Sequence, residues 1–320
     1  MAILVTGGTG FLGAYFTRRA ILEGERVVVL DRYIDRGRIA DILDEVVLIE
    51  GDVGDSDVVE AVMREHQIDR VAHFAFILGG PAPGRMVPYV RVQCLGVANV
   101  YEAASAAGVR RIVFCSSIGA YGQQPVAPLT EELLPNPTSL YGASKVWAES
   151  LGRHYRDHLG LEVINLRFGS TYGLGRAWRG SYNSGLLTTR PKTHYMASVE
   201  DAVRGHPVEL PPDETLADFT YAADGAEAVW LALNAPRPSY DLYNVCSELR
   251  PVGEFRQALQ HFLPDVAIGV KRDEGEVYPP MDNTRLKIDL GFRPQFTIEA
   301  GVRDYIARVR AYDEHLQRHA

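Results

Sequence analysis

The chain has 320 residues, of which 46% are hydrophobic and 23% charged, enough for one large or two modest globular domains. Its net charge of −8 argues against nucleic acid as the main partner, because a phosphate backbone attracts positive charge. No apolar run approaches the roughly 20 residues of a membrane-spanning helix, and the three cysteines form neither a disulfide framework nor a metal motif. We therefore expect a soluble, cytoplasmic protein with no metal, nucleic acid or membrane partner.

Apolar strands alternate with amphipathic helices through the first half of the chain. Each strand is apolar throughout, which is typical of a parallel sheet covered by helices on both faces. Right-handed crossovers then give an α/β, doubly wound sheet of the Rossmann type. The predicted strands are residues 2–6, 26–30, 46–50, 71–75, 112–116 and 163–167, and the predicted helices are residues 11–23, 56–66, 87–107 and 140–159.

The regular pattern breaks over residues 174–212 and again over 246–278. Between these stretches it resumes at 218–233 and at the strand 243–245. We interpret the irregular stretches as a smaller C-terminal substrate-binding lobe that is interleaved with the last sheet elements. The predicted Rossmann domain comprises residues 1–173 plus 218–245, and the predicted lobe comprises residues 174–217 plus 246–320.

A glycine-rich segment, TGGTGFLG at 6–13, joins the first strand to the first helix. Glycines at these positions permit a tight turn, close approach of a pyrophosphate and close helix packing, while the helix N-terminus supplies amide donors. A glycine triplet alone is weak, but here it follows a strand and opens a helix. The predicted cofactor contacts in this segment are Gly7, Gly10, Phe11, Leu12 and Gly13.

The acidic residue Asp31 closes the second strand, where it can accept hydrogen bonds from an adenosine ribose and repel a 2′-phosphate. It therefore favours NAD over NADP. Arg32 and Arg36 point the other way, because a guanidinium can pair with such a phosphate. Asp52 and Val53 follow the third strand and are predicted to lie beside the adenine; Arg32 is also a candidate cofactor contact.

The candidate catalytic residues are Ser117, Tyr141 and Lys145. Ser117 ends the fifth strand, at the carboxyl edge where doubly wound sheets bind ligands. Tyr141 and Lys145 lie four apart at the start of a helix and share one face. A phenol titrates at about pH 10 and needs a nearby cation to act as a base at neutrality. Lys145 supplies that charge and can bind the nicotinamide ribose, while Ser117 donates to the substrate oxygen.

Together these motifs resemble the extended short-chain dehydrogenase/reductases, the NAD-dependent epimerase/dehydratase family, across nearly the whole chain. The resemblance implies catalysis by Ser117, Tyr141 and Lys145, with Phe74 and Ala75 also beside the cofactor. It further implies a homodimer through the helices 87–107 and 140–159. Besides the segments above, the matching residues are His73-Phe-Ala75, SSIGAYG at 116–122, YGASK at 141–145, Arg167, Tyr172-Gly173, residues 218–224 and residues 290–294.

Several positions depart from the pattern of this family. Dehydratases that resemble the chain carry an Asp-Glu pair where Ile118 and Gly119 stand, and neither of these can transfer a proton. Nucleotide-sugar epimerases carry an Asn where this chain has Ser170, and an Arg that contacts the diphosphate where it has Ala217. The usual Asn of the fourth helix corresponds to Gln93. The candidate substrate contacts are Phe76, Ile77, Ser117, Ser170, Arg176 and Arg272.

Three functions remain open at this point. The sequence favours an NAD-dependent dehydrogenase or reductase that acts on a secondary alcohol or ketone of a small polyol or sugar acid. The alternative is a nucleotide-sugar epimerase that oxidises its substrate transiently with tightly bound NAD. A third possibility is a non-catalytic cofactor-binding scaffold on the same fold, against which the intact Ser117, Tyr141 and Lys145 argue.

Overall fold

The computed structural model describes residues 1–176, 195–271 and 279–319, and a parallel sheet of seven strands lies at its centre. The strands in chain order are β1 (Ala2–Thr6), β2 (Val27–Asp31), β3 (Val46–Glu50), β4 (Ile68–His73), β5 (Arg111–Ser117), β6 (Glu162–Phe168), β7 (Thr171–Tyr172), β8 (Val208–Leu210), β9 (Leu216–Asp218), β10 (Thr220–Tyr221), β11 (Leu242–Val245), β12 (Leu249–Pro251) and β13 (Ile268–Val270). The central order is β11-β6-β5-β4-β1-β2-β3, so the predicted doubly wound sheet is confirmed.

Helices cover both faces of this sheet. They are α1 (Phe11–Leu22), α2 (Ser56–Glu65), α3 (Met86–Val90), α4 (Gly96–Ala106), α5 (Leu140–Leu159), α6 (Val199–Val203), α7 (Ala222–Asn234), α8 (Val252–Phe262), α9 (Thr284–Asp289) and α10 (Ile298–Arg318). In β1, Ile3 and Val5 enter one core with α1, α7 and α10, while Ala2 and Leu4 enter the other with α2, α4 and α5. This alternation follows from the two-residue period of a strand that is buried on both sides.

Two elements differ from the prediction. β4 begins at Ile68 and ends at His73, earlier than expected at both ends. It ends early because Phe74 and Ala75 leave the strand: their amides donate to the backbone carbonyl and the side-chain hydroxyl of Thr6, at 3.0 and 3.3 Å. The predicted helix 87–107 consists of α3 and α4 joined by a π-helical turn, Arg91–Leu95. Such turns often mark functional positions, and this one contains Gln93.

The C-terminal part has more regular structure than the sequence indicated. α8 was missed, because Pro251 precedes it and Gly253 interrupts its start; its apolar face is nevertheless buried through Phe255 and Leu259. The pairs β7–β10, β9–β12 and β8–β13 form two-stranded sheets. The division into two domains stays a prediction. No helix among the described residues has the length and apolarity to cross a bilayer.

A buried ion pair joins α5 to β6. The guanidinium of Arg167 donates to both carboxylate oxygens of Glu149, at 2.9 and 2.6 Å, and both side chains are 2% exposed. The hydroxyl of Ser116 donates to the same carboxylate at 2.5 Å, and the ring of Tyr121 lies 4.3 Å from the guanidinium carbon. Because Ser116 precedes Ser117 and Glu149 lies one turn after Lys145, this cluster fixes the two elements that carry the candidate catalytic residues.

We expect Arg167→Met to lower the free energy of unfolding by about 3–5 kcal/mol, because it leaves the Glu149 carboxylate buried and unpaired. Urea denaturation measures the effect. The matched control is Arg153→Ala, which removes a half-exposed partner of Asp241 and should cost less than about 1 kcal/mol. Equal costs for the two variants would contradict the assignment of a desolvated pair.

Candidate active site

A cleft of about 680 Å³ runs along the carboxyl edge of the sheet. It brings together nearly all the predicted site residues; Lys145 lies behind its wall, and Arg272 lies outside the described residues. Those that line the cleft are Gly7, Gly10, Phe11, Leu12, Gly13, Asp31, Arg32, Asp52, Val53, Phe74, Ala75, Phe76, Ile77, Ser117, Tyr141, Ser170 and Arg176.

The glycine segment forms a tight turn between β1 and α1. Gly7 has a φ of +69°, and a Cβ on Gly13 would overlap the carbonyl oxygen of Gly7, so the turn requires both glycines. Gly10 caps α1 without a side-chain hydrogen bond, and the first turn of α1 contains no acidic residue. The amides of this helix terminus therefore face the cleft uncapped, which suits a pyrophosphate.

Asp31 and Asp52 line the end of the cleft where the sequence predicts the adenosine. One oxygen of Asp31 accepts from the amide and hydroxyl of Thr9, at 3.1 and 2.7 Å. Burial raises the pKa of Asp31, although these hydrogen bonds oppose the shift. Arg32 pairs with Asp52 at 3.3 Å and packs on the ring of Tyr33. This pairing gives Arg32 a partner other than a 2′-phosphate, in agreement with the expectation of NAD.

Ser117, Tyr141 and Lys145 meet at the end of β5. Ser139 caps α5 by accepting from the amide of Gly142 at 3.0 Å, which places Tyr141 in the first helical turn. A Cβ on Gly142 would overlap the carbonyl oxygen of Gly119, so this turn packs directly against the loop after Ser117. The Nζ of Lys145 donates to the carbonyl oxygen of Cys115 at 2.8 Å.

The positive charge that lowers the pKa of Tyr141 is that of Arg176, whereas the sequence predicted Lys145 for this role. Burial raises the pKa of Tyr141, while its hydrogen bond with Ser117 and the positive charge of Arg176 lower it. Burial lowers the pKa of Lys145 to about 7, against the opposing charge of Glu149. Arg176, a predicted substrate contact, thus also acts electrostatically on the Tyr141 phenol. Its guanidinium carbon lies 5.9 Å from the centroid of the Phe11 ring.

The loop after β4 is held by the π-helical turn. The side-chain amide of Gln93 accepts from the amide of Ile77 at 2.8 Å and donates to its carbonyl oxygen at 3.1 Å. The hydroxyl of Tyr89 donates to the carbonyl oxygen of Gly79 at 2.6 Å. Gln93, the counterpart of the family's usual Asn, therefore binds the backbone of Ile77 and holds the loop that carries Phe76.

A second cavity, of about 290 Å³, adjoins the cleft at Ile118 and Ser170. Asp218 lines it, and burial raises the pKa of this carboxyl to about 6 while hydrogen bonds from Ser247 and Thr220 oppose the shift. The second acid of the 218–224 motif is structural, because Asp224 accepts from the amides of Gln295 and Phe296.

The rings of His154 and His158 on α5 lie 4.7 Å apart and are tilted by 50°. The described part of the chain holds no group of three or more potential metal-binding side chains.

Comparisons with known proteins agree with this geometry. Residues 3–246 match the NAD dependent epimerase/dehydratase family. The chain belongs to this family. The expectation of an NAD-dependent enzyme of the extended short-chain dehydrogenase/reductase type is thereby confirmed. The roles of individual site residues stay predictions.

Similar proteins cover almost the whole chain. UDP-glucose 4-epimerase of Corynebacterium glutamicum is 28% identical over 313 residues, 93% of this chain and 92% of that one. UDP-glucose 4-epimerase of Thermus thermophilus, solved in complex with NAD, is 29% identical with a TM-score of 0.75, covering 97% of this chain and 99% of that one. The enzyme of Thermotoga maritima, solved with UDP-glucose, has a TM-score of 0.80, covers 97% of this chain and 99% of its own, and at 24% identity supports the fold alone.

His73 gives the site a pH-dependent stability. Its Nδ1 lies 2.6 Å from the hydroxyl of Thr6, and burial together with the charge of Lys145 lowers its pKa to about 3. The unfolded chain takes up this proton near pH 6.5, so stability falls as the pH drops from 6.5 towards 3. Between pH 7 and pH 5 we expect the wild type to lose about 2 kcal/mol more than His73→Gln in denaturant titrations. Parallel losses would contradict a neutral, buried imidazole.

Proposed function

We propose that this family member is a nucleotide-sugar epimerase, which inverts the carbon bearing one secondary hydroxyl of a UDP-linked hexose. The observation that carries the proposal is the meeting of Ser117, Tyr141 and Lys145 at the cofactor cleft of a chain that matches a UDP-glucose 4-epimerase over 93% of its length. The comparisons give no specific support to the polyol dehydrogenase that the sequence favoured.

The cleft residues fit NAD along its length. The uncapped N-terminus of α1 would receive the pyrophosphate, Asp31 the adenosine ribose, and Asp52 and Val53 the adenine. Phe74 and Ala75 lie under the glycine turn, and an added Cβ on Gly7 would come within 2.9 Å of the Ala75 amide. When bound, NAD would supply the acceptor for a hydride from the substrate carbon and the donor for its return.

The protein's own groups manage the proton. Tyr141 would take the proton of the substrate hydroxyl; burial raises its pKa, and the Ser117 hydrogen bond and the positive charge of Arg176 act against that rise. Ser117 would hold the substrate oxygen as its bond order changes. Epimerisation then requires the oxidised sugar to turn in the cleft, so that hydride returns to the other face of the carbon and Tyr141 gives the proton back to the oxygen.

Alternative activities have less support. Ile118 and Gly119 line the cleft where a dehydratase needs proton-transfer groups, and a hydrocarbon chain and a hydrogen atom cannot serve. A dehydrogenase that acts on a free polyol would use the same hydride chemistry, so only its substrate distinguishes it from the epimerase. Ala217 supplies no guanidinium to a diphosphate, which leaves Arg176 as the described cation that lines the cleft near the catalytic group.

The test is incubation of the purified protein with UDP-glucose, without added NAD, followed by chromatography of the sugar nucleotides. We expect inversion by the wild type and a loss of about 10²–10⁴-fold in Tyr141→Phe, with NAD binding retained. The control Tyr155→Phe removes a hydroxyl from the same helix outside the cleft and should keep activity.

Two outcomes would contradict the proposal. The first is full activity in Tyr141→Phe, which would remove the phenol from the chemistry. The second is net NADH formation with a free polyol and no inversion of any UDP-sugar, which would favour the dehydrogenase instead.

We also propose a homodimer through the helices 87–107 and 140–159. These segments expose several large apolar side chains, and exposed apolar surface that is grouped on two helices fits a subunit interface. Two such helices from each copy would form a four-helix bundle. The exposed residues are Val87, Val90, Leu95, Leu140, Trp147 and Leu159.

We expect Trp147→Asp to shift the protein from dimer to monomer in light scattering, because it places a charge in the apolar interface. The control is Ile288→Asp, which changes an exposed side chain of α9 outside these helices. A dimer of unchanged stability in Trp147→Asp would exclude this face.

A cytoplasmic location is part of the same proposal. Cys94, Cys115 and Cys246 are free thiols, and a reducing compartment preserves them.

A further inference from the structure

The candidate catalytic lysine is covered by an aromatic ring. Lys145 is 2% exposed and does not line the cleft, whereas Phe76 does. The Nζ of Lys145 lies 3.3 Å from the centroid of the Phe76 ring and 4.6 Å from that of Phe114. A buried ammonium requires compensating partners, and an aromatic face attracts a cation when water is excluded.

The loop that carries Phe76 is fixed on both sides of the ring. Gln93 holds the backbone of Ile77 through two hydrogen bonds, and it also donates to Ser144, the neighbour of Lys145, at 3.4 Å. On the other side, the amide of Ala75 donates to Thr6 at 3.3 Å. The backbone is thereby tied to β1 and to α5, so the ring can leave the lysine most readily by rotating its side chain.

We propose that the Phe76 ring occupies the cofactor's place at Lys145 until NAD displaces it. The inference rests on the proposed function, in which a nicotinamide ribose binds this lysine. Ribose hydroxyls must come within about 3 Å of Nζ to accept its hydrogen bonds. Phe76 lines the cleft and Lys145 does not, and the ring centroid lies only 3.3 Å from Nζ, so the ring and the ribose exclude each other.

The exchange defines the role of Phe76. In the cofactor-free chain the ring keeps water from the ammonium and supplies the second partner beside the Cys115 carbonyl. On cofactor binding the ring turns away, and charge-assisted hydrogen bonds from Nζ to the ribose replace the cation–π contact. Part of the binding free energy is spent on this exchange, so the ring weakens NAD binding.

The experiment measures NAD binding by protein freed of nucleotide, using Phe76→Ala and the bulk-preserving Phe76→Leu. We expect roughly tenfold tighter binding by Phe76→Ala and a smaller gain by Phe76→Leu, because the cofactor-free state loses its cation–π contact. Pro83→Ala, which truncates an exposed apolar side chain of the same loop outside the cleft, should bind NAD as the wild type does.

A second measurement does not involve NAD. Brief acetylation with acetic anhydride, followed by mass spectrometry, should modify Lys145 several-fold faster in cofactor-free Phe76→Ala than in the wild type. Unchanged or weaker NAD binding in both Phe76 variants would overturn the inference, as would equal acetylation of Lys145 in the wild type and Phe76→Ala. Equal effects from Pro83→Ala would overturn it too, because they would trace to the loop and not to the ring.

Failure of the proposed function has a different signature. If the wild type binds no NAD, or if Lys145→Met binds it as tightly as the wild type, the lysine does not hold the cofactor. If the wild type binds NAD and inverts UDP-glucose while the Phe76 variants match it in both measurements, only the inference about Phe76 fails.

Discussion

The burial of one ammonium group constrains the rest of the site. Lys145 lies on the inner face of α5, where its charge loses water and burial lowers its pKa to about 7. The carbonyl oxygen of Cys115 is its one direct hydrogen-bond partner among the described residues, and that atom is fixed by the parallel pairing of β5 with its neighbours. The lysine position therefore requires the sheet, and α5 must begin close to the end of β5 to supply it.

Charge compensation extends behind the lysine. Glu149 lies one turn further along α5 and faces Arg167 of β6 in a fully buried pair. The negative charge of Glu149 opposes the fall in the pKa of Lys145, and its hydrogen bond from Ser116 fixes the residue before Ser117. Through Ser116, the ion pair thus connects β5 and α5, the two elements that carry the candidate catalytic residues. Because burying the two charges costs desolvation free energy, we infer that the pair positions these elements as well as stabilising the fold.

The sequence predicted the parts of the site that lie at the ends of regular strands and helices. The glycine turn, Asp31 and the group Ser117, Tyr141 and Lys145 follow from periodicity and spacing, because neighbouring strand ends must meet at one edge of a parallel sheet. The contact of Phe76 with Lys145 could not be predicted, since it depends on a π-helical turn whose Gln93 holds the backbone of Ile77. The second role of Arg176 depends on how the chain folds back after β7, where the sequence has no periodicity.

The same contrast explains why chemistry was easier to infer than substrate. Oxidation of a carbinol needs a base, a cation and a hydride acceptor in fixed positions, and rigid strands and helices provide these. An epimerase differs from a dehydrogenase in keeping its cofactor between turnovers and letting the sugar turn. In the proposed function, cofactor retention would depend on contacts distributed along the whole cleft, from Asp31 to the lysine beneath Phe76. In the proposed exchange, the Phe76 ring returns to Lys145 when NAD leaves and must be displaced again before another NAD can bind. Rebinding of the cofactor therefore has a cost that exchange of the sugar does not have.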